Sequence, residues 1–222
     1  MGYGVPAGRC LLVENAIDIG EFRRHRSPAA AKNELELPRG RLLIGGVGRL
    51  SAEKGFDVLF RALARLVADR IDAGLLLLGE GEERKALEEL AEALGLRGRV
   101  YFAGFRNDTE RYFEAMDVFA LSSLREGLPN VVLEALAMEV PVVATRIAGV
   151  PRVIEDGRNG LLVEPGSVEG LADGLGWLLT DDELRERLRH EGRRTVVQRY
   201  SFRARMEKVA AIFDELLSRR RQ

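Results

Sequence analysis

Two carboxylates and two cations are the residues of this sequence whose types and spacing could do chemistry. The carboxylates bracket the stretch Glu126-Gly-Leu-Pro-Asn-Val-Val-Leu-Glu134. From Val131 to Met138 every residue except Glu134 is apolar, which predicts a helix that is buried over most of its circumference. A buried and unpaired carboxylate is costly, and no basic residue lies within one helical turn of it. Glu134 therefore needs donors from elsewhere in the fold or from a ligand, and the hydroxyl groups of a sugar would serve.

The residues before this helix predict an anion site. Gly127, Leu128 and Pro129 form a tight turn that leads into the helix at Asn130. The first backbone N–H groups of the helix would then face outward without partners. Glu126 lies at the mouth of this turn. The alternative is an ordinary strand-to-helix connection whose buried glutamate is paired with a distant arginine, and the nonapeptide alone leaves it open.

The cations belong to a second loop, Gly48-Arg-Leu-Ser-Ala-Glu-Lys-Gly55, which also precedes a helix. Arg49 and Lys54, together with a helix N-terminus, suit a diphosphate. The loop is not a Walker loop, which needs Gly-x4-Gly-Lys-Ser/Thr, and Gly46-x-Gly48 lacks the third glycine of the dinucleotide fingerprint. We therefore exclude a P-loop ATPase and a dinucleotide-dependent dehydrogenase. The Gly79-Glu80-Gly81 stretch is likewise a weak signal, typical of a tight strand-to-helix turn.

Hydrophobic periodicity predicts the elements that must position these loops. Short apolar runs alternate with amphipathic helices, which is typical of a parallel sheet covered on both faces. The fold class is thus α/β, a doubly wound, Rossmann-like sheet of six parallel strands with a C-terminal helical extension. Ligands bind beyond the carboxyl ends of such strands, so the two polar loops should meet at one rim. The predicted strands are 42–47, 73–78, 100–103, 118–121, 140–144 and 161–163, and the predicted helices are 56–68, 82–94, 109–116, 130–138, 168–179, 182–191 and 202–219.

The sequence divides into two parts of different composition. Residues 41–222 hold the alternating pattern and form the predicted binding domain. Residues 1–40 are interpreted as a remnant of an interdomain connection, with a short strand within 9–22 and an exposed linker at 23–39, where Arg, Ser, Pro, Ala and Lys predominate.

Composition excludes several functional classes. The chain has 222 residues, 46% hydrophobic and 31% charged, with a net charge of −1, so it carries no electrostatic signature of nucleic-acid binding. The single cysteine excludes an internal disulfide and a cysteine-based metal site, and no other metal-ligand pattern occurs. The N-terminus lacks a signal peptide and no window holds 18 consecutive apolar residues, which predicts a cytoplasmic location.

Four motifs carry a family resemblance. They are Gly-Arg-Leu-Ser-x-Glu-Lys-Gly at 48–55, Glu-x7-Glu at 126–134, Val-Pro-Val-Val-Ala-Thr at 140–145 and Gly-Arg-Asn-Gly-Leu-Leu-Val at 157–163. In this order they resemble the C-terminal, donor-binding domain of retaining glycosyltransferases of the family-four, GT-B type. The similarity runs from about Leu11 to Phe213. The sequence departs from the family pattern by having Ala148 where the first glycine of Gly-Gly-Val-Pro is usual, Arg152 where glutamate is common, and Glu139 in place of a glycine.

The resemblance implies a role for each polar residue. Arg49 and Lys54, next to Gly48, would contact the diphosphate of a nucleotide-sugar donor. Glu126 would contact the transferred sugar and Glu134 the ribose hydroxyls. The amides of Gly127, Leu128, Pro129 and Asn130 would face sugar and phosphate, and the backbone of Gly104 and Arg106 would face the base. With Glu126, Arg49 and Lys54 as the catalytic residues, the implied activity is metal-independent sugar transfer with retention, of the hexosyltransferase type, and no cofactor is expected.

The resemblance also implies a partner domain. A full enzyme of this type has an N-terminal domain that binds the acceptor, and we expect this chain to be inactive without one. The acceptor would be a sugar, a lipid-linked or a small molecule, and a lipid-linked one would bring the full enzyme to the inner face of the membrane as a peripheral protein. The alternative function is a stand-alone module that binds a nucleotide sugar without catalysis. An epimerase is disfavoured because the chain lacks the acid–base groups which that chemistry needs.

Overall fold

The computed structural model describes residues 10–127 and 129–219, and their order is an alternation of strands and helices. A short 3₁₀ turn, Ala52–Lys54, precedes the helix that begins at Phe56. The strands are β1 (Leu42–Val47), β2 (Ala73–Leu78), β3 (Val100–Gly104), β4 (Val118–Leu121), β5 (Val142–Thr145) and β6 (Leu161–Val163). The helices are α1 (Pro28–Glu34), α2 (Phe56–Ala68), α3 (Arg84–Ala93), α4 (Thr109–Ala115), α5 (Asn130–Ala137), α6 (Val150–Val153), α7 (Val168–Thr180), α8 (Asp182–Arg199) and α9 (Phe202–Arg219).

The six strands form one parallel sheet in the order β3-β2-β1-β4-β5-β6, which confirms the predicted doubly wound fold. The chain winds outward from β1 in one direction through β2 and β3, and then returns to build β4, β5 and β6 on the other side of β1. The reversal of direction between β1 and β4 is the point at which ligands bind in sheets of this type. The loops that follow β1 and β4 contain the two polar stretches singled out above.

Each face of the sheet carries its own hydrophobic core. In β2, Leu76 and Leu78 belong to the cluster that includes α4 and α5, whereas Leu75 and Leu77 belong to the cluster that includes α2 and α7. This division follows from the period of two along a strand, which sends alternate side chains to opposite faces. Because both faces are covered, every residue of β2 is buried, and this explains why the strand reads as an uninterrupted apolar run.

The interpretation of residues 23–39 as an exposed linker is wrong for its central part, where Ala31 and Lys32 are buried, although most of the segment is exposed. Residues Pro28–Glu34 form α1, which Ser27 caps by accepting a hydrogen bond from the N–H of Ala30. The helix is held by a buried ion pair in which Lys32 donates to Asp117 at 2.5 Å. The short strand predicted within 9–22 is also absent from residues 10–22, where the one β-bridge joins Ile17 to Ser201.

The segment 15–24 runs alongside α5 for the whole length of that helix. At the N-terminus of α5, the Asn15 side chain donates to Asn130 Oδ1 at 2.8 Å. At its C-terminus, Arg24 donates to the carbonyl oxygen of Met138 at 3.0 Å. Arg193 of α8 also ties the segment to the C-terminal end of α5, since it donates to the carbonyl oxygens of Ile19 and Phe22 as well as to that of Ala137.

The C-terminal helices extend beyond the sheet. Helix α8 continues to Arg199, eight residues past its predicted end, and α9 follows after Ser201. The apolar side chains of α9 that the sequence places on one face, including Met206, Phe213 and Leu216, are exposed. None of the helices in the described chain has the length and hydrophobicity that spanning a bilayer requires.

Candidate functional site

The loops after β1 and β4 are joined to each other at the reversal point of the sheet. Lys54 makes an ion pair with Glu126, whose Oε1 also accepts a hydrogen bond from Ser123 Oγ at 3.0 Å. The backbone N–H of Leu124 donates to the carbonyl oxygen of Glu53 at 2.7 Å. Two residues predicted to act on the same ligand, Lys54 and Glu126, are thus in direct contact, although no feature of their spacing indicates that they pair.

Gly55 makes this junction possible. Its φ is +59°, and a Cβ placed on it would lie 2.4 Å from the carbonyl oxygen of Ser122. The neighbouring carbonyl, that of Lys54, accepts a hydrogen bond from Ser122 Oγ at 2.9 Å. A side chain at position 55 would therefore push the two loops apart.

We expect Gly55→Ala to lower the free energy of unfolding by about 3 kcal/mol or more, the sum of a left-handed backbone and a steric overlap. Gly98 provides a matched control, because its φ is +72° but a Cβ added there would have no atom within 4 Å. Gly98→Ala should cost only the backbone strain, about 1–2 kcal/mol. Urea denaturation of the two variants measures the difference, and equal losses would contradict the steric explanation.

An open cavity of about 510 Å³ lies beside this junction, at the carboxyl ends of the strands. Its floor is apolar and includes Val47, Leu78 and Val131, while polar groups stand around it. A mostly apolar cleft of this size with a few convergent polar groups is what small-molecule sites share. The residues that line it are Val47, Gly48, Arg49, Leu78, Gly79, Glu80, Phe105, Arg106, Thr109, Val131 and Glu134.

Glu134 is the carboxylate of this cavity that has no partner. It is half-buried on α5, and among the described residues no side chain or backbone group donates a hydrogen bond to it or forms an ion pair with it. Burial, with a smaller contribution from the charge of Glu21, raises the pKa of Glu134 to about 7. The structure therefore excludes the alternative in which a distant arginine satisfies this glutamate, and leaves a carboxyl group ready to accept hydrogen bonds from a ligand.

The two predicted cations occupy different surroundings. The Lys54 side chain lies against Gly48, where an added Cβ would be 3.4 Å from Lys54 Cε, and its ammonium group reaches Glu126. Arg49 lines the cavity, but its Nη2 donates to Glu82 Oε2 at 3.1 Å on the rim. Each cation is thus paired with a carboxylate, and the two do not share a partner.

The loop after β1 is also joined to the loop after β2. The N–H of Leu50 donates to the carbonyl oxygen of Glu80 at 2.9 Å, and the N–H of Glu83 donates to that of Leu50 at 3.0 Å. Gly79 and Gly81 allow this approach, since a Cβ on the former would lie 1.8 Å from the carbonyl oxygen of Gly48 and one on the latter 2.2 Å from that of Leu50. The Gly-Glu-Gly turn at 79–81 therefore forms one wall of the cavity.

The end of β3 and the loop that follows it continue this wall. Gly104 has a φ of +74°, and its carbonyl oxygen accepts a hydrogen bond from the N–H of Gly79 at 2.8 Å. The Arg106 side chain folds back, donating from Nε to the carbonyl oxygen of Ala103 at 2.9 Å, and its guanidinium carbon lies 5.5 Å from the centre of the Tyr112 ring. Phe105, between Gly104 and Arg106, is 70% exposed at the cavity.

The turn before α5 is held from the far side by the loop after β5. The carbonyl oxygen of Gly127 accepts a hydrogen bond from the N–H of Gly149 at 3.1 Å. Ala148 has a φ of +38°, so the left-handed conformation that favours glycine persists at this departure from the family pattern. Pro129 precedes the first residue of α5, Asn130, and no side chain caps the helix. Leu128, predicted as a site residue, lies outside the described residues.

Seven lining residues are absent from the set of site residues predicted from the sequence: Val47, Leu78, Gly79, Glu80, Phe105, Thr109 and Val131. The Gly-Glu-Gly turn that contains Glu80 is a weak motif on its own. Its position at the end of a strand next to β1 is the signal that could have found it, because every such loop reaches the same rim.

Comparisons with known proteins agree with this architecture. A family model for glycosyl transferases group 1 matches residues 29–195. The lipopolysaccharide core biosynthesis glycosyltransferase LpsE of Rhizobium meliloti is 42% identical over 176 residues, which cover 79% of this chain and 51% of that protein. The D-inositol 3-phosphate glycosyltransferase of Corynebacterium urealyticum is 39% identical over 195 residues, with coverages of 83% and 46%.

Solved structures show the same fold. The crystal structure of Anabaena HepE in complex with UDP superposes with a TM-score of 0.88 at 26% identity, over 96% of this chain and 59% of that one. The C-terminal domain of the group 1 glycosyl transferase LpcC from Francisella tularensis gives a TM-score of 0.76 at 26% identity, over 84% of this chain and 99% of that one.

The chain thus spans about half the length of the curated relatives it matches. Its sheet is that of the C-terminal domain of GT-B glycosyltransferases. Since the family model matches the greater part of its length, the chain belongs to the group 1 glycosyl transferases.

Proposed function

We propose that this chain is the donor-binding half of a retaining glycosyltransferase, which moves a sugar from a nucleotide-diphosphate sugar to an acceptor held by another domain. The observation that carries the proposal is Glu134, a carboxyl group without a partner among the described residues, in an apolar cavity at the reversal point of the sheet. A pair of vicinal hydroxyls, as in ribose, offers the two donors that such a group lacks. HepE, solved with UDP, supports a nucleotide ligand for this fold.

The cations define where the diphosphate would lie. Arg49 stands at one side of the cavity, and Lys54 stands next to Gly48 at the junction of the two loops. A diphosphate between them would also face the first N–H groups of α5, which no side chain caps. As the bond to the sugar breaks, negative charge grows on the departing diphosphate, and these fixed positive groups would stabilise that state more than the ground state.

Glu126 would then contact the transferred sugar. Its Oε1 pairs with Lys54 and accepts a hydrogen bond from Ser123. A phosphate oxygen that pairs with Lys54 would leave the Glu126 carboxylate free to accept hydrogen bonds from the sugar hydroxyls. The base would lie at the loop after β3, where Phe105 and Arg106 line the cavity directly after Gly104.

A calorimetric titration with UDP, GDP, ADP and their glucose conjugates tests the proposal. We expect dissociation constants between millimolar and micromolar for the matching nucleotide. Arg49→Gln should weaken binding roughly 10- to 100-fold through the loss of a charge-assisted contact. The control is Arg65→Gln, because Arg65 is also exposed and paired, with Asp173 at 2.9 Å, on α2. Equal affinity of the wild type and the Arg49 variant would refute the diphosphate site.

The alternative is a nucleotide-sugar-binding module that never catalyses. Adding a separately expressed N-terminal domain from a curated relative and assaying sugar transfer distinguishes the two functions. Donor binding without transfer in any pairing would support the module.

Metal independence and location complete the proposal. Arg49 and Lys54 supply the positive charge that a divalent cation would otherwise bring to a diphosphate, so we propose that binding and transfer persist in the presence of EDTA.

A cytoplasmic site of action is proposed from the single, free cysteine, which suits a reducing compartment. Peripheral attachment to a membrane through a lipid-linked acceptor would belong to the complete enzyme.

A further inference from the structure

We propose that Glu82 sets the affinity of the site by competing with the donor's diphosphate for Arg49. The inference rests on the proposed function and adds a residue that neither the sequence motifs nor the family resemblance assigned. In this structure the cation Arg49 is paired with the carboxylate of Glu82. Binding of a diphosphate would exchange one anionic partner for another.

The contact itself is direct. Arg49 Nη2 donates to Glu82 Oε2 at 3.1 Å, and the side chains are 69% and 56% exposed, respectively. Arg49 lines the cavity, whereas Glu82 stands outside it. The arginine can therefore turn from the rim toward a ligand without breaking any buried contact, and the pair costs little to open.

The backbone keeps the two residues together. Arg49 immediately precedes Leu50 in the chain. The N–H of Leu50 donates to the carbonyl oxygen of Glu80, and the N–H of Glu83 donates to the carbonyl oxygen of Leu50. These two hydrogen bonds lie on either side of residues 81 and 82. Gly81 lets the loops approach this closely, because a Cβ there would lie 2.2 Å from the carbonyl oxygen of Leu50. The backbone at position 82 is thus fixed in the wall next to the cation, which keeps the carboxylate within reach of Arg49.

The charge of Glu82 makes the competition effective. A hydrogen bond from its own backbone N–H, together with Arg49, lowers the pKa of Glu82, so this group is ionised at neutral pH. A diphosphate that approaches Arg49 meets this negative charge at the same place. The diphosphate must displace the carboxylate from Arg49 and is also repelled by its charge. The net attraction between Arg49 and the diphosphate is therefore weaker than it would be without Glu82.

The experiment compares wild type, Glu82→Gln, Arg49→Gln and the double variant in calorimetric titrations with UDP and with uridine. Glutamine keeps the shape and the hydrogen-bond acceptor but removes the charge. We expect Glu82→Gln to tighten UDP binding about two- to fivefold at low salt, a gain that shrinks as salt is added, and to leave uridine binding unchanged. In the Arg49→Gln background the same substitution should give a clearly smaller gain.

The matched control is Glu89→Gln on α3, since Glu89 belongs to an exposed pair with Lys85 at 3.9 Å. It should leave UDP affinity unchanged. An unchanged or weaker UDP affinity in Glu82→Gln, or an equal gain with and without Arg49, overturns the competition while the donor site stands. A wild type that binds none of UDP, GDP and ADP refutes the donor site itself and this inference with it.

Discussion

Replacing Glu134 by glutamine is expected to raise the free energy of unfolding at pH 8 by about 1–3 kcal/mol. The ordinary pKa of the carboxyl group is 4.5, and burial raises it to about 7 in the folded protein. Above pH 7 the wild type therefore carries an ionised carboxylate in a half-buried position without a partner. Glutamine has no charge to bury, so the variant avoids that cost.

The pH dependence of stability that Glu134 causes is opposite in sign to that of a paired carboxylate, which stabilises the folded protein as pH rises. Between pH 4.5 and 7 the folded protein holds the Glu134 proton and the unfolded chain has lost it, so wild-type stability falls as pH rises through this window. The cost is complete above pH 7. Urea denaturation at pH 8 and pH 5 should show a gain for Glu134→Gln at the higher pH that nearly disappears at the lower one. A gain of the same size at both values would contradict the titration.

The same group should govern the pH dependence of binding. Ligand hydroxyls donate best to an ionised carboxylate, so the affinity for whichever nucleotide sugar of the panel binds should be constant above pH 7 and fall below it, by at most about tenfold per pH unit. A sugar-linked diphosphate does not titrate in this range, which leaves Glu134 as the expected cause. Glu134→Gln should bind roughly 10- to 100-fold more weakly and with a flatter profile. Glu89→Gln, an exposed change, is the control for both measurements.

Lys54→Met is expected to weaken binding of the matching nucleoside diphosphate roughly 10- to 100-fold and also to lower the free energy of unfolding by about 1–3 kcal/mol. The second effect arises because Lys54 and Glu126 are only 21% and 14% exposed, so the lysine is the main counter-charge of a largely buried carboxylate. Titration calorimetry and urea denaturation of the same preparation measure both losses.

Arg49→Gln distinguishes the role of a cation in ligand binding from its role in stability. Its pair with Glu82 is well exposed, and exposed pairs contribute little to stability, so this variant should lose affinity but not stability. The additional variant Lys54→Met/Glu126→Gln should recover the stability lost by Lys54→Met, because no buried charge remains. Loss of stability in Arg49→Gln, or none in Lys54→Met, would contradict this interpretation of the two pairs.

The sheet could be predicted from the sequence because strands that are buried on both faces read as continuous apolar runs. The bounds of β1, β2, β4 and β6 agree with the prediction. Strand β5 begins two residues later than predicted, since the N–H of Val140 bonds back to the carbonyl oxygen of Ala135 at the end of α5 and Pro141 has no N–H to offer. The strand therefore pairs only from Val142 onward.

The helices that the prediction missed or shortened depend on contacts between distant residues. Helix α1 has an apolar content too low for periodicity to reveal, and the Lys32–Asp117 pair holds it. The prediction ended α8 at Glu191, before a glycine that usually marks a helix end. Gly192 instead lets α8 pack closely on α5, because a Cβ there would lie 2.6 Å from Leu136 Cδ2.

The candidate site could be predicted as a set of loops but not as a set of contacts. Topology alone brings the ends of β1, β2, β3 and β4 to one rim, and the apolar residues around Glu134 predicted its burial but left open whether an arginine pairs with it. Which carboxylate each cation meets depends on side-chain directions within the loops. The pairs of Lys54 with Glu126 and of Arg49 with Glu82 therefore required the structure.

The backbone contact between the loops after β1 and β2 has a consequence for redesigning ligand preference. Gly79 and Gly81 leave no room for any side chain, so a mutant library that includes them would mostly yield misfolded protein. Arg49, Glu82 and Phe105 instead extend from the same rigid wall into solvent. Randomising these three positions would vary what the pocket presents to a ligand while the scaffold beneath stays intact.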